Sequence, residues 1–176
     1  VHGYLFLHEK DHKTSLQDEK EVAEHAGLTV HLLEYTPGLN EPKKNCIMFE
    51  EQAEFHPMHY LQGLCEAIIR LGGQIYTETH AKDISTKGIV TTQGYSIDAQ
   101  HVVVATNTPV NDKYAIHLKQ FAYRTYLIGC RIKKNSVPQA LWWDTGDYEK
   151  DPDLQPYHFI RVVSLDTEND LLLCGG

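Results

Sequence analysis

The chain has 176 residues, 41% of them hydrophobic and 23% charged, which suits a globular protein of one domain or two small interleaved ones. Its net charge of −8 argues against a nucleic-acid surface: phosphate recognition needs clustered Lys and Arg, and Lys13, Lys43–Lys44 and Lys133–Lys134 are scattered. No apolar run approaches the ~20 residues of a membrane span.

The N-terminus, "VHGYLFLHEK", has no basic region and no cleavage site, so no signal peptide is expected. The chain opens on Val1 and closes on "CGG", and both ends read as cut from something longer. "GYLFL" (3–7) predicts a strand, and "HEKDHKT" a polar loop. That loop holds the densest metal-ligand cluster, His8, Glu9, Asp11 and His12. Lys10 and Lys13 are interleaved and would repel a cation, so a solvated loop is the expected reading.

"SLQDEKEVAEHAG" (15–27) predicts a surface helix. Ser15 with Asp18 forms a capping-box pattern, acidic residues fill the first turns and Gly27 closes it. "LTVHLLEY" (28–35) is extended, "TPGLNEPKKN" a loop, and "CIMFEEQAEF" either strand or irregular. A second helix starts at Pro57, a residue suited to the first helical position. Leu61, Leu64, Cys65, Ile68 and Leu71 recur on one side of it as a core-facing stripe, and Gly72–Gly73 end it. His56 stands just before it and either caps the helix or faces a ligand; with His59 it makes a weaker metal pair than a cap.

"QIYTETHAKDI" (74–84) predicts a strand. Short antiparallel strands follow, turning at Lys87–Gly88 and Gln93–Gly94, and then the buried strand "QHVVVATNTPV" (100–110). "FAYRTYLIGCRI" (121–132), "ALWWDT", "YHFIRVVSLD" and "DLLLCGG" complete the strands. In "FAYRTY" the alternation puts Arg124 and Tyr126 on one side: a half-buried strand, or a substrate wall with Arg as a carboxylate clamp. "WWD" (142–144) is core or pocket wall. Two helices among roughly ten strands give a mixed α+β fold. The four cysteines form no C-x-x-C; Cys65, Cys130 and Cys174 have apolar neighbours and read as buried thiols of a reducing, cytoplasmic protein. G-x-S-x-G, the P-loop and G-x-G-x-x-G are all absent.

The order of these segments resembles the D-amino-acid oxidase/glycine oxidase (DAO) family of FAD-dependent oxidoreductases over nearly the whole chain. The carriers are the helix ending in Gly-Gly, then "QIYTETHAKDI", a short antiparallel excursion, "AQHVVVATNTPV", an aromatic-rich strand and "DLLLCGG". "LWWDTGD" followed by "YHFIRV" is similar to a branch joined to a Rieske iron–sulfur domain. The resemblance implies an incomplete doubly wound flavin-binding portion interleaved with a mixed-sheet substrate domain. Residues 1–45 and 113–174 would be substrate-domain parts, 46–112 the middle of the FAD-binding domain, and 175–176 the start of its C-terminal segment.

It further implies FAD contacts at Ala81, at Ala105, Thr106 and Asn107, and at Gly175–Gly176. Asn107 stands where the family usually has Gly, and Asn tolerates a positive φ. His56, Arg124 and Tyr126 are the implied residues near substrate or flavin, with a small amine or amino acid as substrate and no metal. Without G-x-G-x-x-G to seat the pyrophosphate, the 176 residues alone are expected to be colourless and inactive. Two other readings stand beside this one: a non-enzymatic α+β binding module, and a flavin dehydrogenase passing electrons to an iron–sulfur partner.

Overall fold

Alternation along "HGYLF" puts Tyr4 and Phe6 on one side of a strand and Leu5 on the other. In the computed structural model, which describes residues 1–39, 44–107, 124–151 and 155–176, both sides are covered. The chain forms two compact units: Val1–Glu54 with Arg124–Gly176, and Phe55–Tyr123.

The first unit is built on a seven-stranded sheet. Its strands are β1 (His2–Phe6), β2 (Val30–Leu33), β3 (Cys46–Phe49), β7 (Leu127–Lys133), β8 (Ala140–Asp144), β9 (Phe159–Ser164) and β10 (Asn169–Gly175). The order is β2-β3-β1-β8-β9-β10-β7, and of these neighbours only β1 and β8 run parallel, with Tyr4 beside Trp142 and Phe6 beside Asp144. On one face Tyr4, Phe6, Cys46, Ala140, Trp142 and Val162 make a core. On the other, α1 (Leu16–His25) lays Leu16 and Ala23 against Val30 and Ile47. The Ser15 hydroxyl accepts the Asp18 N–H at 3.2 Å, as the capping pattern required.

A loop closes over the first core. The Trp142 indole N–H donates to the Pro37 carbonyl at 2.7 Å, and Thr36 is buried beside it. Gly38 has φ +84°, and a Cβ there would come within 2.9 Å of the Trp142 ring. Only glycine meets both demands.

The second unit contains α2 (Pro57–Arg70) and a three-stranded antiparallel sheet, β4 (Ala81–Ser85), β5 (Gly88–Thr91) and β6 (Ser96–Asp98). Both expected turns are present, with Gly94 at φ +87°.

The chain is thus α+β, but three expectations need correction. Residues 74–80 and 100–107 are not strands. An extended segment becomes a strand only by hydrogen bonding to a neighbour, and among the described residues no strand ladder includes either of these. Val103 is 87% exposed as a result; Thr108 and Pro109 lie outside the described residues. The α2 stripe is helical as expected but not buried: Leu61, Leu64, Ile68 and Leu71 are all exposed. For the same reason Cys65 is exposed, and so is Cys130 on the edge strand β7, while Cys46 is the buried thiol. Residues 46–54 lie in the first unit, where β3 is hydrogen-bonded between β1 and β2. The 112/113 boundary lies outside the described residues.

Candidate functional site

Each unit has a cavity of its own. In the second unit a cleft of about 290 Å³ is walled by Thr79, His80, Ala81, Ile84, Ile89 and residues 102–106. Pairing with β5 fixes its floor: Ala81 lies opposite Thr91, and the His80 carbonyl accepts the Thr92 N–H at 2.9 Å. A bulge between Ala81 and Asp83 re-aims the start of β4. Ala81 and the pair Ala105–Thr106, more than 20 positions apart in the sequence, therefore line one cleft. Their small side chains leave backbone N–H and C=O groups approachable, and the aliphatic neighbours make the slot mostly apolar. Such a slot suits the flat, apolar-faced end of a ligand with a few edge hydrogen bonds. Its size is at the lower limit of ligand pockets, so it fits one ring system and not a whole dinucleotide.

In the first unit a cavity of about 670 Å³ is lined by Leu5, Thr14, Trp143, Tyr148, Tyr157, Phe159 and Arg161, among others. This is an ordinary volume for a small-molecule site. Both tryptophans of "WWD" border this cavity, but Trp142 is a buried core residue, while Trp143 is half-buried and packs on Phe49. In that lining, where Glu19 and Asp144 are the carboxylates, Arg161 is the single cation among the described residues. Sequence reasoning missed it, although the signal was present: Tyr157, Phe159 and Arg161 recur every second residue, as one face of a strand does.

Asp11 supports the same region. Burial would raise its carboxyl; the hydroxyls of Thr14 and Thr145 and the N–H groups of Thr14 and Lys13 outweigh that and hold it at about 2, below the usual 3.8. Its Oδ1 accepts Lys13 N–H at 2.9 Å and Thr14 N–H at 3.0 Å. A carboxyl depressed on folding stabilises the protein above its unfolded value and loses that contribution as pH falls through the folded one. Asp11→Asn should therefore lower stability by about 2 kcal/mol at neutral pH. The gap to the parent should close as pH falls from 3.8 to about 2, followed as urea midpoints across that range. Asp11 is thus occupied in a turn, and the loop cluster does not converge: among the described residues no metal-like grouping contains Glu9, Asp11 or His12.

The other expected site residues are dispersed. His56 is the N-cap of α2; its Nδ1 accepts the His59 N–H at 3.4 Å, and the two rings stack at 4.0 Å. Asn107 follows the cleft wall and is exposed. Arg124 and Tyr126 are exposed in the first unit and do not line its 670 Å³ cavity. Tyr126 and Gly176 exchange backbone hydrogen bonds, at 3.0 and 3.2 Å. Gly175 is required by packing, since a Cβ would collide with the Phe159 ring.

Residues 1–176 match the family described as FAD dependent oxidoreductase. The chain is also 27% identical, over 98% of its length, to a protein named for a Rieske 2Fe-2S iron–sulfur centre, YhfW of Bacillus subtilis (strain 168). It spans about a third (33%) of the length of that relative. No solved structure gives a significant match.

Proposed function

The chain belongs to the FAD-dependent oxidoreductase family over its whole length, and from that membership we propose that it is part of a flavoenzyme oxidising a C–N bond of a small amine or amino acid. The carrying observation is the cleft shared by Ala81, Ala105 and Thr106. In this reading its backbone groups hold the adenine end of FAD, and Asn107 makes the turn that follows. The flavin, when bound, supplies the hydride acceptor. The chain's own residues bind, orient and exclude water. Arg161 is the proposed carboxylate clamp, in a wall where Trp143, Tyr157 and Phe159 offer apolar and aromatic contact. Arg124, Tyr126 and His56 remain proposed substrate- or flavin-side contacts, and Gly175–Gly176 a proposed lead into flavin binding.

The test uses the intact protein. It should carry flavin, and small amino acids or amines added without oxygen should bleach the visible flavin band. Absence of flavin, or bleaching only by substrates without a C–N bond, would overturn the reading. A second reading, transfer of electrons onward to an iron–sulfur centre, is favoured by the name of the relative. It predicts that substrate reduces an iron–sulfur signal in electron paramagnetic resonance with little oxygen consumption. It also predicts C-x-H and C-x-x-H motifs in the same reading frame, since two Cys and two His hold such a cluster.

A further inference from the structure

Pairing in the first unit delivers three ligand-bearing side chains to one end of its sheet. His8 lies two residues beyond β1, Asp144 ends β8, and His158 immediately precedes β9. β1 and β8 are parallel, with Phe6 beside Asp144, and β8 and β9 are antiparallel, with Trp143 beside Phe159. The junction is tied by backbone bonds from Thr145 N–H to the Phe6 carbonyl and from Asp144 N–H to the His158 carbonyl, both 3.1 Å. The His8 N–H adds a bond to the Thr145 hydroxyl at 3.1 Å. One ligand atom from each of His8, Asp144 and His158 lies within 4.8 Å of the other two. The two imidazoles face each other, with centroids 5.7 Å apart and planes 15° from parallel.

Charge makes the cluster unusual. Asp144 is 6% exposed. Its Oδ1 accepts Gly146 N–H at 3.1 Å and His158 N–H at 3.0 Å, and its Oδ2 lies 2.9 Å from His158 Nδ1. Among the described residues no Lys or Arg pairs with it; its side-chain partner is the His158 imidazole. A buried carboxylate is costly unless a positive group compensates it, and here the groups in reach are imidazoles, which are themselves metal ligands.

We propose that His8, His158 and Asp144 form a binding site for a borderline divalent transition ion such as zinc. Two imidazole nitrogens and one carboxylate oxygen are the donor set such ions prefer, and three protein ligands leave room for water. Ligand atoms around such an ion sit about 3.3 Å apart, by bond lengths of about 2.0–2.1 Å in a tetrahedral arrangement. The half-buried His8 and the exposed His158 are the two ligands that have room to rotate toward that spacing. Bound there, the ion ties the end of β1 to the β8–β9 junction, beside the cavity whose wall includes Asp144. The site contains no cysteine, so it is separate from the two-Cys, two-His set of a Rieske centre, and it does not depend on the flavin reading.

Zinc is the probe. Untagged intact protein, stripped with chelator, is dialysed against zinc chloride, and its zinc content is read beside that of His8→Ala, His158→Ala, His158→Gln and His12→Ala. One zinc per chain is expected, with affinity falling about tenfold or more in the His8 and His158 variants and unchanged in His12→Ala. Zinc-edge X-ray absorption should show two imidazoles and oxygen. His158 is exposed, so its variants should fold, and circular dichroism with an unchanged unfolding midpoint verifies that. No bound zinc, or binding untouched by the His8 and His158 variants, would overturn the site and leave His158–Asp144 as a hydrogen-bonded pair only.

Discussion

Replacing Trp142 by Ala should destabilise the first unit by about 3–5 kcal/mol, the largest single-residue effect expected in this chain. The side chain is 1% exposed. It stacks on Tyr4 at 6.1 Å, centres the core formed with Phe6, Cys46, Ala140 and Val162, and bonds the Pro37 carbonyl. Truncation removes buried area, leaves a cavity under the loop of residues 36–39, and strands a partly buried carbonyl. Trp142→Phe separates these contributions: it keeps most of the stack and loses the N–H donor, so about 1–2 kcal/mol is expected. Trp143→Ala, its half-buried neighbour, should cost less than Trp142→Ala. Urea unfolding followed by far-ultraviolet circular dichroism ranks the three variants. An equal cost at Trp142 and Trp143 would mean that the core is misassigned.

The same pair of tryptophans shows what was legible in the sequence. The sequence left "WWD" as core or pocket wall and could not say which residue was core, because that depends on β1 and the 36–39 loop, more than 100 positions away. Local signals were reliable where the physics is local. The Ser15 cap, Pro57 at the start of α2, and the Gly94 turn all stand as expected. Signals that need a partner failed. The period of α2 identifies a helix with an apolar stripe, but no described residues bury that stripe. The valines of 102–104 have strand composition but no described strand to pair with. The grouping of His8, Asp144 and His158 had no sequence signal at all, since parallel pairing of β1 with β8 creates it. Ala81 and Ala105–Thr106 were picked out by resemblance alone; alanine and threonine carry no chemical label, and their meeting in one cleft is a tertiary fact.

That cleft yields the second large effect. Ala81→Phe should weaken FAD retention by the intact protein at least tenfold, about 1.4 kcal/mol or more, while leaving its unfolding midpoint nearly unchanged. Ala81 is half-buried at the first position of β4, opposite Thr91. β4 ends there, so a larger side chain does not break the ladder that holds β4 to β5, and aromatic residues are favourable in strands. The cleft has about 290 Å³ to share, and a phenyl ring placed in it competes directly with the ring system proposed to bind there. Ala105→Phe, on the opposing segment, should behave alike. Val90→Phe, an exposed position on β5 outside the cleft wall, should not. Flavin absorbance per protein after gel filtration and dialysis reads the result, and denaturation in the same samples controls for folding. Full flavin content in both cleft variants would place the adenine end of the cofactor elsewhere, even in a protein whose flavin chemistry is intact. Loss of flavin in all three variants together with a lowered midpoint would point to unfolding of the second unit. Only the split, with cleft variants pale and stable and the β5 variant yellow and stable, ties the cofactor to the backbone of Ala81 and Ala105.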